Sequence, residues 1–317
     1  MTRNKDIKIV FMGTPEFAVT ILKGILDQKY NVVGVITAPD KPAGRGRKIH
    51  QSAVKKFAEE NGLKVLQPTN LKNEDFLQEL QELQANLQVV VAFRMLPKVV
   101  WNMPENGTFN LHASLLPEYR GAAPINWAII NGEQKTGVTT FFIDDKIDTG
   151  EIILQKETEI LPEETAGELH DKLMTLGSDL VNETIALIQK GNVKTTPQPK
   201  KEHKPAPKLY KENCKIDWSD DLTSIYNKIR GLSPYPLAWT TIYNDNTTLE
   251  MKIYKAKKEL EKHDYSIGKV ITTKKEMKVA VKDGFLIIEE LKVAGKRKMD
   301  AVSFLNGFKF EEEAFLK

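Results

Sequence analysis

The sequence has little cysteine and no long apolar run, and each absence excludes a class of protein. Cys214 is the only cysteine among 317 residues, so a disulfide framework within the chain and a cysteine cluster for zinc are both excluded. No apolar run approaches the roughly 18 residues that a membrane-spanning helix needs. The residues from Met1 to Asp6 are polar and lead into a short apolar segment, unlike a secretory signal, so we expect a cytoplasmic protein.

Nucleotide-binding and metal-binding patterns are also missing. The segment that begins at Gly13 has only the first of the three glycines that let a backbone approach a pyrophosphate. The sequence has no Gly-Lys-Ser or Gly-Lys-Thr loop to bind phosphate. Apart from His112, the histidines lack the spacing of metal ligands, so we expect no metal; they are His50, His170, His203 and His263.

Charge is divided unequally between the two halves of the chain. The net charge is +3, but residues 1–189 carry 20 Lys and Arg against 25 Asp and Glu, a net −5. Residues 190–317 carry 26 basic against 18 acidic side chains, a net +8. A basic half is a candidate for binding a polyanion, although a lysine-rich surface also serves simply to keep a protein soluble.

Apolar runs and helical patterns alternate along the first half. The chain is too long for one ordinary core, so we expect two domains. Strand, helix and strand at short intervals predict an α/β domain with a parallel sheet and right-handed crossovers, a Rossmann-like core. The predicted strands are Ile7–Met12, Val32–Ile36, Lys64–Leu66, Leu87–Ala92, Gly107–His112 and a hairpin of Thr139–Ile143 with Glu151–Gln155, and a long helix covers Ala166–Gln189.

The second half has a different pattern. Residues 190–208 hold four prolines and six lysines with scarcely an apolar side chain, which predicts an extended, semi-rigid linker. Beyond a short helix, apolar runs are separated by Asn, Asp, Gly and Lys, a pattern typical of a small antiparallel barrel. The runs are Ala238–Tyr243, Leu249–Ala256, Gly268–Thr272, Met277–Val281 and Phe285–Leu291.

Two polar side chains lie near the end of the strand Gly107–His112. Asn110 and His112 are two residues apart, so both point to the same face of the strand. Pro117 and Gly121 then interrupt regular structure before a helical pattern begins. Polar side chains at the carboxyl end of a strand occupy the place where open α/β sheets bind ligands, although an ordinary strand-to-helix connection explains the pattern about as well.

Several sequences in this region and beyond it resemble the folate-dependent formyltransferases, which use 10-formyltetrahydrofolate as formyl donor. The resemblance covers nearly the whole chain. One departure is Arg94, at a position where the family more often has glycine after the aromatic residue. The matching sequences are Phe11-Met-Gly-Thr-Pro-Glu-Phe17, Pro39-Asp-Lys-Pro-Ala-Gly-Arg-Gly46, Asn110-Leu-His112, Ser114-Leu-Leu-Pro-Glu-Tyr-Arg-Gly121, Gly121-Ala-Ala-Pro124, Asp148-Thr-Gly150 and Ile216-Asp-Trp218.

The resemblance implies a formyltransferase domain at residues 1–189, the linker at 190–208 and an OB-like, tRNA-binding barrel at 209–317. It implies that a basic loop after the second strand contacts the acceptor end of a tRNA. We also expect a monomer without membrane contact. The resemblance singles out Asn110, His112 and Asp148 for catalysis, Phe93, Met95, Ser114, Leu115, Leu116 and Pro117 for folate, and Lys41, Arg45, Arg47 and Lys48 for the tRNA.

Formyl transfer to an amine suggests a role for each catalytic residue type. Attack of a neutral amine on the formyl carbon passes through a tetrahedral intermediate with a negative oxygen, and the amine loses a proton. Asn110 is a donor for that oxygen, and His112 either donates to it or relays the proton. Asp148 orients and charge-stabilises the imidazole, or takes the proton through a water. Spacing does not distinguish Asp148 from Asp144 and Asp145; only the resemblance does.

The implied reaction moves the formyl group of 10-formyltetrahydrofolate onto the α-amino group of methionine carried by initiator tRNA, for translation initiation, and releases tetrahydrofolate. A first alternative is transfer to a small amine, such as an amino-sugar nucleotide or glycinamide ribonucleotide, which would have no use for a basic loop and a basic barrel. A second is an RNA-binding protein built on an inactive enzyme fold. The intact set of Asn110, His112 and Asp148 argues against the second.

Overall fold

The described residues form two compact units. The computed structural model describes residues 6–43, 48–200 and 203–317. The first unit lies within Met1–Gly121, Thr136–Thr158 and His170–Pro205, and the second within Ala122–Lys135, Glu159–Leu169 and Ala206–Lys317.

The bounds of these units differ from the predicted domain bounds. The segments 122–135 and 159–169 belong to the second unit although both precede the predicted linker, and most of that linker belongs to the first unit. The buried Arg230 of the second unit provides a physical reason, because its guanidinium donates to the Glu164 carbonyl at 3.0 Å and to Asn227 Oδ1 at 2.9 Å. Burial lowers the pKa of Arg230, because removal from water disfavours its positive charge. The hydrogen bonds from the guanidinium offset part of this cost.

Helices and strands alternate through the first unit, and strands dominate the second. None of the described helices is both long and apolar enough to cross a lipid bilayer. The helices are α1 (Glu16–Asp27), α2 (Ala53–Glu60), α3 (Glu74–Glu82), α4 (Lys98–Trp101), α5 (Pro124–Ile130), α6 (Ala166–Gln189), α7 (Leu222–Leu232) and α8 (Ala301–Leu305). The strands are β1 (Lys8–Gly13), β2 (Asn31–Ile36), β3 (Lys41–Ala43), β4 (Lys48–His50), β5 (Val65–Leu66), β6 (Leu87–Val91), β7 (Thr108–His112), β8 (Arg120–Gly121), β9 (Lys135–Phe142), β10 (Ile152–Glu159), β11 (Pro205–Ala206), β12 (Ala238–Asn244), β13 (Thr247–Leu260), β14 (Val270–Thr272), β15 (Met277–Val281), β16 (Gly284–Val293), β17 (Met299–Asp300) and β18 (Phe315–Leu316).

A seven-stranded sheet organises the first unit, in the order β10-β9-β7-β6-β1-β2-β5. The strands from β7 to β5 in this order pair in parallel, which confirms the predicted Rossmann-like α/β fold. β9 runs antiparallel to β7, so the two strands predicted as a hairpin extend the sheet at one end. β6 is buried along its whole length, as a strand covered on both faces must be.

Side chains from neighbouring positions pack on opposite faces of this sheet. On one face, Val10 and Met12 of β1 belong to an apolar cluster with Phe76 of α3. On the other face α6 approaches closely, since a β-carbon on Gly177 would lie 2.7 Å from Leu111 Cδ2. With both faces covered, the ends of the parallel strands are the place where polar groups can gather.

An antiparallel sheet forms a nearly closed barrel in the second unit, in the order β14-β15-β16-β13-β12-β18. The two end strands meet, because the Val270 N–H donates to the Ala314 carbonyl at 3.1 Å and the Leu316 N–H donates to the Gly268 carbonyl at 2.8 Å. Such closure leaves few unpaired strand edges. The barrel confirms the predicted OB-like architecture of the second half.

The barrel seam depends on Gly268, and this yields a prediction. Its φ is +84°, and a β-carbon there would lie 2.5 Å from the Leu316 carbonyl oxygen. We expect Gly268→Ala to lower the free energy of unfolding by roughly 2–4 kcal/mol, from backbone strain plus the clash. Gly295→Ala is the matched control, because its φ is +77° but a β-carbon there would have no described atom within 4 Å apart from its chain neighbours. Urea unfolding measures both losses, and equal values would contradict the importance of the seam.

Candidate active site

The carboxyl ends of β1, β6 and β7 lie at one edge of the first unit's sheet. Their registers pair Val91 with Gly13 of β1 and with Leu111 of β7. Residues 92–95 and 112–117 therefore leave the sheet side by side, at the place where open α/β sheets bind ligands. The predicted folate residues and the predicted catalytic residues of β7 thus emerge at the same edge.

Asn110 and His112 lie on one face of β7, as their spacing predicts, and Leu111 between them faces α6. His112 is 6% exposed, and Asn110 is half-buried. The Asn110 amide makes no hydrogen bond within the part of the chain that the structure describes. A free amide donor on the strand face that carries a buried imidazole is an arrangement that can hold an oxyanion.

The His112 ring has a neighbour at each nitrogen. Its Nε2 lies 2.8 Å from the Tyr119 carbonyl oxygen. A carbonyl only accepts, so Nε2 carries a proton, and in the neutral ring Nδ1 holds the lone pair. Nδ1 lies 3.8 Å from Oδ2 of Asp148, too long for a hydrogen bond but close enough for an ion pair when the ring is protonated. The carboxylate is therefore placed to stabilise a proton that the ring accepts.

The structure distinguishes Asp148 from the two other carboxylates of its turn. Oδ2 of Asp148 accepts from the Gly121 N–H at 3.0 Å, and the side chain is mostly buried. Asp144 instead accepts from the Thr149 hydroxyl at 2.7 Å and so braces the turn, while Asp145 is exposed. Of the three, Asp148 is the one whose carboxylate lies beside the imidazole, and its catalytic role stays a prediction.

Two backbone groups that sequence patterns do not identify complete this arrangement. The Tyr119 carbonyl and the Gly121 amide come from one short segment after Pro117. Tyr119 has a φ of +61°, a left-handed backbone that is unusual for a residue other than glycine. The turn before it is held by Ser114, whose Oγ donates to the Glu118 carbonyl at 2.6 Å. Every residue has a backbone carbonyl, and almost every residue has a backbone N–H. A sequence pattern therefore does not reveal which of these groups contribute to a site.

A side chain from the predicted linker also reaches the site. Gln198 donates from Nε2 to the carbonyl oxygens of Asp148 and Gly150, at 3.0 and 2.8 Å. Its Oε1 accepts from Nε of Arg120 at 3.1 Å. A polar, proline-rich segment has no periodic signal for such a contact, because the contact depends on where the chain runs in three dimensions.

The predicted folate residues after β7 differ in exposure. Ser114 and Leu116 are buried, whereas Leu115 and Pro117 are half-buried. The backbone here is held in place, since the Leu116 N–H donates to Thr139 Oγ1 at 3.1 Å. A segment fixed in this way can present Leu115 and Pro117 to a ligand, and its contact with folate stays a prediction.

The predicted folate residues after β6 are Phe93 and Met95, and they flank Arg94, which stands where the family more often has glycine. Phe93 packs against the apolar cluster of the sheet, and Met95 is 65% exposed. Arg94 donates to the Thr69 carbonyl at 2.9 Å and to the Pro68 carbonyl, and its guanidinium carbon lies 5.7 Å from the centre of the Phe93 ring. The arginine therefore braces a segment where the family more often has glycine. The folate contacts of Phe93 and Met95 stay a prediction.

The predicted tRNA loop is described only at its two ends. Lys41 lies in β3 and is exposed, and Lys48 begins β4, which pairs with β3. Arg45 and Arg47 lie outside the described residues, and so does the side chain of Lys48. The contact of these four residues with tRNA stays a prediction.

A polar cluster holds the base of this loop. Asp40 accepts from Gln67 Nε2 at 2.8 Å and from Lys55 Nζ at 2.6 Å. The bond from Gln67, followed by that from Lys55, lowers the pKa of the Asp40 carboxyl. Asp40 and Gln67 follow β2 and β5, which are parallel neighbours, so the loop starts from the same edge of the sheet as the catalytic residues.

Known protein families match both halves of the chain. The formyl transferase family model matches residues 7–185, and the model of the formyl transferase C-terminal domain matches residues 208–309. The chain is 62% identical over 311 residues to the methionyl-tRNA formyltransferase of Flavobacterium johnsoniae, which covers 98% of this chain and 99% of that protein. It is 53% identical over 315 residues to the protein of the same name from Parabacteroides distasonis, with 97% of each chain covered.

A solved structure has the same fold. The N-formyltransferase from Helicobacter canadensis, in complex with folinic acid and dTDP-3-aminofucose, superposes with a TM-score of 0.66 at 26% identity, over 89% of this chain and 98% of that one. The two family models together span most of the present sequence, and the relatives match nearly all of it. The chain therefore belongs to the formyl transferase family, as the sequence resemblance predicted.

Proposed function

We propose that this enzyme transfers the formyl group of 10-formyltetrahydrofolate to the α-amino group of methionine on initiator tRNA. The observation that carries the proposal is the pairing of His112 Nδ1 with Asp148 Oδ2 at 3.8 Å, next to the strand face that also bears Asn110. An amide donor and a histidine beside a carboxylate can hold the oxyanion and accept the proton of the amine. The acceptor follows from the relatives named methionyl-tRNA formyltransferase, one of which is 62% identical over 98% of this chain.

Proton transfer is the first task of the site. The Nε2–H of His112 is occupied by the Tyr119 carbonyl, so Nδ1 is the ring atom that accepts the proton of the attacking amine. Asp148 then pairs with the imidazolium, which returns the proton to the folate nitrogen as the bond from that nitrogen to the formyl carbon breaks and tetrahydrofolate leaves. Two unit charges at this separation gain roughly 4 kcal/mol near a protein surface, before the cost of desolvation is subtracted. The carboxylate therefore lowers the barrier by stabilising charge that appears only as the reaction proceeds.

Holding the oxyanion is the second task. Charge develops on the formyl oxygen in the tetrahedral intermediate, and a preorganised donor at that point contributes roughly 10²–10³ in rate. Asn110 has an amide that makes no hydrogen bond to another described residue, so one of its N–H groups can donate to this oxygen.

The formyl donor is proposed to lie along the strand-end edge. Phe93, Met95 and the segment 114–117 surround the exit of β6 and β7, and half-buried apolar side chains there suit a flat heteroaromatic ring. The relative from Helicobacter canadensis was solved in complex with folinic acid, which supports a folate contact in this fold. The donor approaches from this edge and brings its formyl carbon to Asn110 and His112.

A basic and aromatic row on the barrel is the proposed tRNA surface. Trp239, Lys252 and Lys292 are direct cross-strand neighbours on β12, β13 and β16, so their side chains share one face. Lys211 and Lys215 flank the indole, with Nζ atoms 4.8 and 5.6 Å from the ring centre. Cations beside an aromatic ring suit a nucleic acid, which offers both phosphates and bases.

The pairing of two lysines within this row supports a contact with an anionic ligand. Lys252 faces Lys292 directly, and like charges in that position destabilise a sheet. Neither lysine has a carboxylate within 4 Å among the described residues. Phosphate groups would remove this repulsion, so we propose that the row contacts the tRNA backbone.

The competing proposal is a small-amine acceptor. The protein crystallised with dTDP-3-aminofucose is 26% identical to this chain, whereas the relatives named for methionyl-tRNA are 62% and 53% identical over nearly its whole length. A barrel of net positive charge, in which Lys252 and Lys292 have no carboxylate within 4 Å among the described residues, also suits a polyanion better than a small amine. We therefore propose charged tRNA as the acceptor and the cytoplasm as the place of reaction.

Substitution of the catalytic residues tests the chemistry. Asn110→Ala or His112→Ala should lower kcat by about 10² or more, because the oxyanion donor or the proton acceptor is lost. Asp148→Asn should be at least as damaging, since the amide keeps the shape but not the charge. Asp145→Asn is the matched control, because this exposed carboxylate of the same turn should leave kcat unchanged. Steady-state formylation of methionyl initiator tRNA measures each variant, with circular dichroism to check folding.

Several outcomes would contradict the assignment. Near-normal kcat in Asn110→Ala or His112→Ala would remove the role of that residue. A fully active Asp148→Asn enzyme would mean that another acid stabilises the imidazolium. Wild-type protein that formylates an amino-sugar nucleotide or glycinamide ribonucleotide, but not charged initiator tRNA, would favour the small-amine alternative.

Salt dependence tests the barrel row. The double variant Lys252→Gln, Lys292→Gln should bind all tRNAs more weakly, and the slope of log affinity against log salt should fall by about 0.7–0.9 for each lost phosphate contact. Lys298→Gln is the matched control, because Lys298 already pairs with Glu290 at 2.6 Å. Fluorescence anisotropy of labelled tRNA at several salt concentrations measures the slopes. Equal slopes in wild type and double variant would show that the row is only solvated surface.

A further inference from the structure

We propose that Gln198 is a positioning residue that holds the Asp148 turn in place beside the imidazole. The inference rests on the proposed function, which assigns the Asp148 carboxylate a part in proton transfer. Gln198 lies in residues 195–200, which we call the strap. The two prolines on either side of it, Pro197 and Pro199, are exposed, whereas Gln198 is half-buried and turned toward the site.

The Gln198 carboxamide uses all of its hydrogen-bonding positions. Nε2 donates to the carbonyls of Asp148 and Gly150, at 3.0 and 2.8 Å. Oε1 accepts from both Nε and Nη2 of Arg120. A primary amide has two donor hydrogens and an oxygen with two lone pairs, so the whole group is satisfied. Gln198 therefore binds the carbonyls of Asp148 and Gly150 through its amide nitrogen, while Arg120 binds its amide oxygen.

The turn needs such support from outside. Asp148 has a φ of +55°, a conformation that strains a residue other than glycine. Residues 145–147 before it are exposed and contribute little packing. After it, a β-carbon on Gly150 would lie 1.7 Å from the Phe142 carbonyl oxygen, so the chain has no room to shift there. Within the turn, Asp144 accepts from the Thr149 hydroxyl. From outside it, the bonds from Gln198 to residues 148 and 150 and the bond from the Gly121 N–H hold the Asp148 carboxylate in place.

Arg120 connects Gln198 to the other half of the site. It precedes Gly121, whose N–H donates to Oδ2 of Asp148 at 3.0 Å, and it follows Tyr119, whose carbonyl accepts from the imidazole. The contacts form a closed ring: Gln198 binds the Asp148 backbone, the Asp148 carboxylate binds Gly121, and Arg120 returns to Gln198. Such a ring fixes the carboxylate relative to the imidazole.

Backbone contacts determine where the strap runs. Thr196 exchanges two backbone hydrogen bonds with Ile152 of β10, at 2.8 and 2.9 Å. Further along, the Tyr119 N–H donates to the Lys204 carbonyl at 2.6 Å. The chain is thus tied to the first unit on both sides of Gln198. A segment that is polar enough to be predicted as a linker therefore acts as a structural part of the site.

Three variants of the full-length protein test this role. Gln198→Glu keeps the size of the side chain and its bond to Arg120, but it has no donor for the two turn carbonyls. Gln198→Ala removes all the contacts. Lys200→Gln is the control, because Lys200 is an exposed strap residue whose side chain makes no hydrogen bond or ion pair with the described part of the chain.

The expected result is a selective loss of turnover. A displacement of about 1 Å at a catalytic group costs about 10² in rate, so kcat for methionyl-tRNA should fall about 10- to 100-fold in both Gln198 variants. KM should stay within about two-fold, since uniform binding is untouched. Lys200→Gln should match wild type in both constants. An active enzyme whose kcat does not change in Gln198→Glu would overturn the inference.

A double variant separates positioning from a general structural effect. If Gln198 acts through the Asp148 carboxylate, then Gln198→Glu combined with Asp148→Asn should be about as slow as Asp148→Asn alone. Effects that multiply would mean that Gln198 acts independently of the carboxylate, and would overturn the inference.

A spectroscopic measurement keeps this inference separate from the proposed function. The imidazole ¹⁵N signals of His112 should shift in the same direction in Gln198→Glu and in Asp148→Asn, and should stay in place in Lys200→Gln. Wild-type protein that fails to formylate methionyl-tRNA would overturn the proposed function, yet the shifted signals would still support the positioning role. Signals that do not move in Gln198→Glu would overturn that role whatever the enzyme formylates.

Discussion

The short distance between the Asp148 carboxylate and the His112 imidazole is the constraint on which the rest of the site depends. The register of β9 against β7 pairs Phe142 with Phe109, so the connection that carries Asp148 leaves the sheet near the far end of β7. Its carboxylate nevertheless lies 3.8 Å from the imidazole at the other end of that strand. A left-handed backbone at Asp148 and hydrogen bonds from Gly121 and Gln198 hold this residue close to the imidazole. The chemistry therefore depends on contacts between segments far apart in sequence.

The electrostatic requirements of the reaction are divided between the two halves of the chain. Proton transfer and oxyanion binding need a small number of groups held in a fixed place, and the first unit supplies them at the edge of a buried sheet. Binding a polyanion needs many cations and tolerates solvent, and residues 190–317 supply a net charge of +8, of which +5 lies in residues 190–208. The first requirement is met by burial and geometry, and the second by composition.

Much of the fold could be predicted because its causes are local. Apolar runs of strand length between helical patterns indicate a covered parallel sheet, and short alternating runs indicate a barrel, since burial selects residue type position by position. Asn110 and His112 share a face because their spacing requires it. The addition of β9 and β10 to the sheet could not be predicted, because a hairpin pattern is the same whether the hairpin stands alone or extends a neighbour. Segments 122–135 and 159–169 belong to the second unit because of contacts such as that of Arg230 with Glu164. Such contacts produce no periodic pattern in the sequence.

The sequence by itself determined the class of fold, the candidate catalytic residues and the family of the chain. The fold class follows from local patterns of apolar residues, and the other two follow from motifs shared with the family. The tertiary structure alone decided how close Asp148 lies to the imidazole, that the Tyr119 carbonyl sets the tautomer of His112, and that Gln198 of the predicted linker contacts the turn. The physical reason is that hydrogen bonds between distant segments depend on where the backbone passes. Two residues separated by fifty positions leave no trace of their contact in the spacing of either.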